Sequence, residues 1–391
     1  MQLRPHQQDA LEALSRHSKG QIIVPTGGGK TLIAIKDAIR RLNGMTDPTL
    51  VVVAPRILLA EQLSSEFLEE IENVSVMHVH SGETHHYSTT KSDNIQAWVS
   101  NTQGSKIIFT TYHSLHRLVE ADVVVDTIYF DEAHNAVQRN FIESVDHYSL
   151  PFNSLRCYFF TATPKHSRTI KKAGMNDADI FGNVICNVAA PKLVEEGYIL
   201  PPKVKVYKSE ILKKNQLTSD VDCEQIIDNI DDHNTKKILV CAKAKRQITR
   251  LIGESDFLDE LEERGYSYLY ITSKTGAIID GKKVCREKFF RVLNDWGKDE
   301  DKKFVVLHYS ILSEGINVKG LEAVLFLRSM DYIGISQTIG RVIRRGCKEK
   351  TYGLVCVPVY SNVGISTARK VQAVVDTVFE KGEPAISVIT R

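Results

Sequence analysis

The sequence predicts an α/β protein of two similar-sized domains, each a mostly parallel sheet with helices on both faces. Short apolar runs alternate with stretches of helical periodicity, which is typical of a parallel sheet covered on both faces. This alternation occurs twice along the 391 residues, with a polar segment that contains a double proline in between. A domain usually takes about 150 residues, so the length agrees with two of them.

The individual strands are predicted from the apolar runs. The first series predicts helices at 31–42 and 57–71 and strands at 22–24, 50–54, 107–110, 127–130 and 157–160. The second series begins near Lys236 and predicts strands at 238–241, 268–272, 304–307, 323–327 and 354–357. We place the border at about residue 205, which gives domains 1–205 and 206–391.

Composition excludes several classes of protein. With 50 Lys and Arg against 48 Asp and Glu, the net charge is too balanced to indicate nucleic-acid binding, which would have to use local patches. The seven cysteines form no C-x-x-C pair, which favours reduced thiols over a disulfide framework or zinc ribbon. The polar start predicts no signal peptide, and no apolar run approaches the roughly 18 residues of a membrane span. We therefore expect a cytoplasmic protein with no membrane partner.

A glycine-rich turn separates the first predicted strand from the first long helix, in the segment "QIIVPTGGGKTLIAIKDAIRRLNG" at 21–44. Glycine lacks a Cβ, so the backbone can turn tightly and bring its N–H groups close to a ligand. A helix that begins near Lys30 adds the positive end of its dipole and unpaired N–H donors. The turn therefore predicts a phosphate site, formed by Pro25, Thr26, Gly27, Gly28, Gly29, Lys30 and Thr31.

Two residues of this turn have specific expected roles. Lys30 would reach the β- and γ-phosphates, and the Thr31 hydroxyl would be a ligand of Mg²⁺. The general phosphate-loop pattern has a glycine where this chain has Val24, so the segment matches the shorter P-T-G-x-G-K-T variant. The alternative is an ordinary glycine turn with an incidental lysine.

A pair of carboxylates follows another buried strand, in "VVVDTIYFDEAHNAV" at 123–137. Ligands of open α/β sheets bind at the carboxyl ends of the strands, where Asp131 and Glu132 lie. Asp131 would hold the Mg²⁺ that neutralises phosphate charge, and Glu132 would orient and deprotonate an attacking water. The alternative is a charged helix cap with His134 on the surface.

These segments, taken with others in order, resemble the superfamily 2 helicases and translocases. The resemblance extends from about residue 3 to about residue 358 and implies two RecA-like domains with ATP in the cleft between them. The matching segments are "LRPHQQDAL", "PTGGGKT", "VVVAPRILLAEQ", "FTTYHSL", "DEAH", "FTATP", "ILVCAKAKRQI", "LSEGINVKGLEAVLFL" and "QTIGRVIRR".

The resemblance also implies roles for single residues. Gln7 would read adenine, since a glutamine can pair bidentately with N6 and N7. Arg341 and Arg344, spaced to share a helix face, would stabilise the transferring phosphoryl group together with Gln337. A basic surface helix is the alternative for these arginines. Further implied nucleotide contacts are Gly315 and Asn317, and the family often has Asp at the position of Asn317. The residues implied to couple the nucleotide site to the bound nucleic acid are His134, Thr161, Thr163 and Glu314.

ATP binding and hydrolysis would close and open the two domains on a polymer track. The resemblance implies phosphate contacts from Pro55, Arg56, Thr110, Thr111, Lys243 and Ser310, and such contacts carry no sequence information. We expect a monomeric ATP- and Mg²⁺-dependent DNA helicase or translocase of a bacterial or phage-infected cell, acting on duplex or branched DNA. The alternatives are an RNA helicase or RNP remodeller, and a non-motor ATPase subunit of a larger DNA-processing complex.

Four histidines cluster in "MHVHSGETHH". A metal site needs ligands that converge in space, so we prefer an exposed polar loop over a metal site for His78, His80, His85 and His86.

Overall fold

The structure, a computed structural model, describes residues 3–208, 217–272, 275–309, 318, 320–327, 330–346, 350–359 and 362–390. The chain divides into two compact units, Met1–Ala189 with Pro384–Arg391, and Ala190–Glu383. This division lies before the expected border near residue 205. Residues 384–391, which the sequence assigned to the second domain, lie in the first unit.

The first unit contains an eight-stranded sheet in the order β4-β3-β5-β2-β6-β7-β1-β9. All of its strand pairs are parallel. A separate two-stranded sheet joins β8 to the last strand of the chain, β18. The strands are β1 (Lys19–Ile23), β2 (Thr49–Ala54), β3 (Ser75–Val79), β4 (Tyr87–Ser88), β5 (Lys106–Thr111), β6 (Val125–Phe130), β7 (Ser154–Thr161), β8 (Lys165–Ser167), β9 (Val184–Asn187) and β18 (Ser387–Ile389).

Helices and a 3₁₀ turn connect these strands. They are α1 (Pro5–Arg16), α2 (Lys30–Gly44), α3 (Ile57–Leu68), α4 (Ser92–Asn101), α5 (Leu115–Glu120), the 3₁₀ turn Ala133–Asn135, α6 (Ile142–Ser149) and α7 (Ala178–Phe181). Every residue of β2 and β5 is buried, as expected when helices cover both faces of a parallel sheet. The five predicted strands and both predicted helices of this half are confirmed within a few residues.

The second unit contains another eight-stranded sheet, in the order β10-β17-β16-β11-β15-β12-β13-β14. The pairs from β10 to β12 are parallel, whereas β13 and β14 are added antiparallel at one edge. The strands are β10 (Pro202–Lys208), β11 (Lys237–Cys241), β12 (Ser267–Thr272), β13 (Gly276–Ile279), β14 (Lys282–Val284), β15 (Phe304–His308), β16 (Ala323–Phe326) and β17 (Gly353–Val359).

The second unit has seven α-helices within its described residues. They are α8 (Ala190–Glu195), α9 (Thr218–His233), α10 (Lys245–Glu254), α11 (Phe257–Glu263), α12 (Arg286–Lys298), α13 (Tyr332–Val342) and α14 (Asn362–Val375), which continues as a π-helical turn, Asp376–Glu380. The predicted fold class is confirmed, since both units are mostly parallel sheets with helices between most successive strands.

Within the described residues, no helix combines the length and hydropathy needed to span a bilayer. The six cysteines among them are free thiols.

Candidate functional site

Three neighbouring strands of the first unit end side by side, in the order β6-β7-β1. The glycine turn follows β1, Asp131 and Glu132 follow β6, and Thr161 is the last residue of β7. Because all three strands are parallel, their carboxyl ends meet at one edge of the sheet, where open α/β sheets bind ligands.

The glycine turn has the backbone shape that its sequence predicts. Gly27 and Gly29 have φ values of 88° and 85°, in the left-handed region that favours glycine. Gly29 is the cap of α2 and lies directly before Lys30, the first helical residue. The Gly28 N–H donates to the Pro25 carbonyl at 2.9 Å, which closes the turn. The first N–H groups of α2 therefore border a tight turn, which is the arrangement that suits a phosphate.

Gln7 and its neighbour His6 lie directly against this turn. Both side chains are buried. The His6 Nε2 is 2.7 Å from the Gly28 carbonyl oxygen, and the Gln7 amide donates to the same oxygen at 3.5 Å. The Gln7 Oε1 accepts from the Arg4 N–H at 3.0 Å. A Cβ on Gly29 would lie 2.4 Å from the Gln7 Nε2. Gln7 is thus placed at the turn, and its predicted pairing with adenine would replace these bonds.

Asp131 and Glu132 lie just beyond the end of β6. The Asp131 N–H continues the strand pairing by donating to the Val53 carbonyl at 2.9 Å. Burial and the charge of Glu132 raise the pKa of Asp131, while the charge of Lys30 opposes this rise. Glu132 has a φ of 44°, an unusual backbone conformation that costs about 1–3 kcal/mol and is often found at functional sites.

The donors at this edge of the sheet fit Mg²⁺. Mg²⁺ prefers oxygen ligands, usually one or two carboxylates completed by water and phosphate. Asp131 supplies a half-buried carboxylate, whose pKa is raised by desolvation and by the neighbouring charge of Glu132, two effects that a bound cation would offset. Thr31, in the first turn of α2, supplies a hydroxyl.

His134 connects the end of β6 to the end of β7. Its Nδ1 is 3.1 Å from the Thr161 Oγ1, 3.3 Å from the Thr163 Oγ1 and 3.5 Å from the Glu132 Oε2. The Thr163 N–H also donates to the Thr161 Oγ1, at 3.1 Å. His134 is buried, so the alternative of a surface histidine is wrong. The structure brings together the three residues expected to couple nucleotide to track within this unit.

The sequence did not indicate Asn135 and Gln138, which complete this network. The Asn135 amide donates to the His134 Nε2 at 3.2 Å, and the Gln138 amide donates to the Asn135 Oδ1 at 3.0 Å. Since the Nε2 accepts, a neutral His134 carries its proton on Nδ1 and donates towards Thr161. No residue pattern marks Asn135 as a partner, because its role arises from a single turn of 3₁₀ helix.

Tyr112 was also missed. Its hydroxyl donates to the Asp131 carbonyl at 2.9 Å and thereby fixes the backbone between the two carboxylates. Burial, together with the charges of Asp131 and Glu132, raises the pKa of Tyr112. A tyrosine after "FTT" was the available signal, although nothing in the sequence connects it with the end of β6.

The predicted residues of "QTIGRVIRR" lie at the end of α13 in the second unit. Gln337 and Arg341 are buried within this helix. The helix ends at Val342, and Arg344 lies beyond it, where its backbone bridges to Ile199. The expectation that the two arginines share one helix face is therefore wrong, because the helix stops between them.

The predicted phosphate contacts differ in their exposure. Arg56 is exposed at the N-cap of α3, and Lys243 is exposed before α10, where its N–H donates to the Gln247 side chain. By contrast, Thr110 is fully buried and its hydroxyl donates to the Val79 carbonyl at 2.9 Å. This side chain is engaged inside the sheet and is not available to a track, which corrects the expectation for Thr110.

Two further predicted contacts are also buried. Pro55 is buried before α3, and the buried Thr111 has its hydroxyl 3.3 Å from that of Ser114. The remaining predicted site residues, Ser310, Glu314, Gly315 and Asn317, lie outside the described residues.

The histidine segment is not the exposed loop that we expected. His78 belongs to β3 and His80 follows it, and both side chains are buried. Only His85 and His86 are exposed. The prediction failed because a short strand at 75–79 was not recognised.

The fold and this site define a two-domain protein of the RecA-like class. Two family models match the chain: "Type III restriction enzyme, res subunit" over residues 1–166, and "Helicase conserved C-terminal domain" over residues 222–346. These two matches support the assignment of the chain to superfamily 2 of the helicases and translocases, in the restriction-like branch. No curated protein matches the chain in sequence.

Several solved structures share the fold. The ATP-dependent Type ISP restriction-modification enzyme LlaBIII bound to DNA matches with a TM-score of 0.78 and 19% identity, over 100% of this chain and 31% of that one. A nuclease-deletion mutant of the Type ISP enzyme LlaGI, with a DNA substrate mimic, matches with a TM-score of 0.68 and 22% identity, over 99% and 30%. The Mycobacterium smegmatis helicase Lhr bound to ssDNA and AMP-PNP matches with a TM-score of 0.64 and 17% identity, over 95% and 48%. The chain thus spans about a third of the length of the two restriction enzymes.

Proposed function

We propose that this protein couples ATP hydrolysis to movement along nucleic acid, with duplex or branched DNA as its track. The observation that carries the proposal is the convergence of the Lys30 turn, Asp131 and Thr161 at the ends of the adjacent parallel strands β1, β6 and β7, with His134 connecting the last two. A phosphate turn, a half-buried carboxylate and a connected histidine at one edge are the parts that nucleotide hydrolysis needs.

The glycine turn and the start of α2 would bind the phosphates of ATP. Lys30 would pair with the β- and γ-phosphates, and its charge already acts on Asp131, where it opposes the rise in pKa that burial and Glu132 cause. Thr31 and Asp131 would hold Mg²⁺, which when bound neutralises phosphate charge. The Gln7 amide donates to the Gly28 carbonyl of the turn, and Gln7 is our proposed adenine contact.

Glu132 is our proposed general base. Its carboxylate is half-buried beside His134, with the Oε2 3.5 Å from the His134 Nδ1. His134 would orient the Glu132 carboxylate, and Glu132 would accept the proton of an attacking water. Through the same Nδ1, a change in the position of Glu132 would reach Thr161 and Thr163, which is our proposed route from nucleotide to track.

We propose that Arg341 and Arg344 of the second unit, with Gln337, stabilise the charge on the transferring γ-phosphoryl group. The two arginines come from different structural contexts, one from within α13 and one from after it. Arginines with this role can be worth about 10³–10⁵ in rate. Arg344→Ala should therefore slow hydrolysis by orders of magnitude and leave ATP binding in place, as measured by steady-state turnover and nucleotide titration.

The preference for DNA is supported by the structural neighbours that are described as bound to DNA. On this chain, the exposed Arg56 and Lys243 are basic residues at or just before helix N-termini, where N–H groups favour phosphate. Phosphate contacts of this kind predict weak sequence preference and strong salt dependence.

The central test is the ATPase rate of the purified protein with no polymer, duplex DNA, single-stranded DNA and RNA. We expect duplex or branched DNA to stimulate turnover most. Lys30→Ala and Glu132→Gln should abolish turnover, and Glu132→Gln should still bind ATP. Lys36→Ala is the matched control on the same helix, because Lys36 pairs with Glu70 on the surface, and it should turn over normally.

Three results would contradict parts of the proposal. Equal rates in all four conditions would remove the motor function and favour a non-motor ATPase. Stimulation by RNA alone, with displacement of RNA forks but not matched DNA forks, would favour an RNA helicase. Near-normal hydrolysis by Glu132→Gln would remove the general-base role.

A further inference from the structure

Three potential metal ligands converge in the first unit, away from the glycine turn. Glu61 lies on α3, His78 on β3, and His80 directly after that strand. The Glu61 Oε1 is 2.9 Å from the His78 Nδ1 and 3.0 Å from the His80 Nε2. The His78 Nδ1 and the His80 Nε2 are themselves 3.0 Å apart. Three donor atoms on two elements therefore form a nearly equilateral triangle.

The three atoms of this triangle cannot all be satisfied by hydrogen bonds to one another. The His80 Nδ1 accepts from the Gly82 N–H at 3.2 Å, so a neutral His80 carries its proton on Nε2. That one proton faces both the His78 Nδ1 and the carboxylate. The Glu61 Oε1 is buried and accepts no hydrogen bond of suitable geometry from any described residue. Leaving a buried carboxylate oxygen without a donor costs free energy, which a bound cation would recover.

The environment keeps both imidazoles ready to bind a metal. The rings of His78 and His80 are fully buried, and burial lowers the pKa of His78 to about 3 and also lowers that of His80. Both are therefore neutral near pH 7, the form that binds a metal. Burial raises the pKa of Glu61, and a hydrogen bond from Thr84 and the charge of His85 offset this rise only in part.

We propose that Glu61, His78 and His80 bind a divalent transition-metal ion, with Zn²⁺ as the best fit, through Oε1, Nδ1 and Nε2. Two imidazoles and a carboxylate suit zinc, which commonly takes three protein ligands and a fourth, open position. Ligands at about 2.0–2.1 Å in a tetrahedron lie roughly 3.3 Å apart, so each side of the triangle needs to open by only a few tenths of an ångström. A water molecule or an exposed histidine of the next loop, His85 or His86, completes the tetrahedron.

The surroundings of His78 fit this role. Its Nε2 is 3.0 Å from the Ser64 Oγ, so the ring can bind the metal through Nδ1 while its other nitrogen donates to a hydroxyl. Partners of this kind fix the orientation of metal-bound histidines. Ser64 and Glu61 both lie on α3, and the site therefore cross-links this helix to β3.

Binding has a structural consequence at His80. When Nε2 binds the metal, its proton leaves and the neutral ring carries a proton on Nδ1 instead. The Gly82 N–H then faces a donor and loses its acceptor. The metal thus stabilises α3 against β3 while it releases the Gly82 backbone. Amide exchange should slow in 57–68 and become faster at Gly82 when metal is added.

The test begins with the full chain after EDTA treatment and removal of the chelator. Titration with Co²⁺ should give the visible absorption of a tetrahedral nitrogen- and oxygen-ligated ion, saturating at about one equivalent, and Zn²⁺ should displace it. A second possible cobalt site lies in the second unit, where the Cys241 Sγ is 3.1 Å from the His308 Nε2. Binding at that site would instead produce a thiolate-to-cobalt charge-transfer band.

Variants assign the site. Glu61→Gln and His80→Gln should each weaken Zn²⁺ binding by more than about 100-fold, and Ser64→Ala, which removes only a supporting hydrogen bond, by about 10-fold. His116→Gln replaces an exposed histidine of the same unit and should bind zinc as the wild type does. Circular dichroism checks that each variant folds, and Glu61 is partly exposed, so its isosteric change is expected to fold.

Two results would overturn the proposal. The first is a folded, EDTA-treated wild type that binds no Co²⁺ or Zn²⁺ near one equivalent. The second is binding that Glu61→Gln and Ser64→Ala leave unchanged. Neither result depends on ATP hydrolysis, so the metal site and the proposed motor function are tested separately.

Discussion

The hydroxyl of Tyr129 holds the helix of the glycine turn against the strand of the carboxylates, and its removal gives a prediction with a matched control. Tyr129, on β6, donates to the Asp37 Oδ2 at 2.8 Å, and Asp37 on α2 is completely buried. Asp37 also pairs with Arg40 and with Arg41. This cluster positions Lys30, at the start of α2, relative to Asp131, at the end of β6.

Tyr129→Phe removes one hydrogen bond to a buried carboxylate and changes little else. Such a bond is worth about 1.5–3 kcal/mol, against about 1 kcal/mol for a bond between neutral groups. Since Asp37 keeps its two arginine partners, we expect a loss of about 2 kcal/mol. For a unit of this size, that lowers Tm by about 4–8 °C.

The control is Tyr148→Phe, in the same unit. Tyr148 is also fully buried, but its hydroxyl donates to the neutral Val123 carbonyl, at 3.1 Å, so we expect a loss of about 1 kcal/mol. Thermal and urea unfolding of both variants give the comparison. If Tyr129→Phe were no more destabilising than Tyr148→Phe, the Asp37 cluster would not hold α2 to β6 as we infer.

Three further predictions concern the same unit. Gly29→Ala should lower the free energy of unfolding by about 1–2 kcal/mol because Gly29 has a positive φ, and it should weaken nucleotide binding because the new Cβ would press on Gln7. Gly44→Ala is the control, since open space surrounds Gly44, and it should not destabilise the protein. Equal urea midpoints for the two variants would contradict this prediction. Thr161→Val should lower kcat and leave the nucleotide Kd unchanged, because it removes the His134 contact. A normal kcat would refute the proposed route from nucleotide to track through His134. With chelator present, the free energy of unfolding should fall as the pH drops from 6.5 towards 5. His78, whose folded pKa is about 3, should contribute up to about 1.4 kcal/mol per pH unit to this fall. A His78→Gln variant whose free energy of unfolding, measured in urea, changes with pH as steeply as that of the wild type would exclude this cause.

The sign of the pH effect follows from the direction of the shift. The folded pKa of His78 lies below its unfolded value of 6.5. Between these two values the unfolded chain binds the proton and the folded chain does not, so acid favours unfolding. The contribution of His78 to the free energy of unfolding is therefore fully present above pH 6.5 and is lost as the pH falls towards 3. The lowered pKa of His80 acts in the same direction.

The parts of the fold that the sequence predicted are those with a strong periodic signal. β2 and β5 are continuous apolar runs, buried throughout, and such runs mark parallel strands well. β3 was missed because "SVMHV" contains a histidine, and only the packing of its neighbours makes that position buried. The three residues of β18 are too few to show a periodic pattern, and their pairing with β8 joins segments that are far apart in the sequence.

The candidate site was predictable wherever one short segment supplies the chemistry. The glycine turn combines backbone shape, helix start and lysine in adjacent residues, so local sequence was sufficient. The partners of His134 other than Thr161 and Thr163 were not predictable, because hydrogen-bond choice among nearby polar groups depends on coordinates. For Thr110 the sequence was misleading, since a hydroxyl at a strand end can serve either a ligand or a neighbouring carbonyl.

The strand order gives a physical basis to the proposed route from nucleotide to track through His134. β7 lies between β6 and β1, so Thr161 at its end is next to both the carboxylates and the glycine turn. A movement of Glu132 can pass to the His134 Nδ1 and then to two hydroxyls on the adjacent strand. The chain continues from Thr163 through Pro164 into β8, which pairs with the last strand of the protein. The residues that would respond to the nucleotide are therefore directly connected, by backbone and hydrogen bonds, to the C-terminal segment that returns to the first unit.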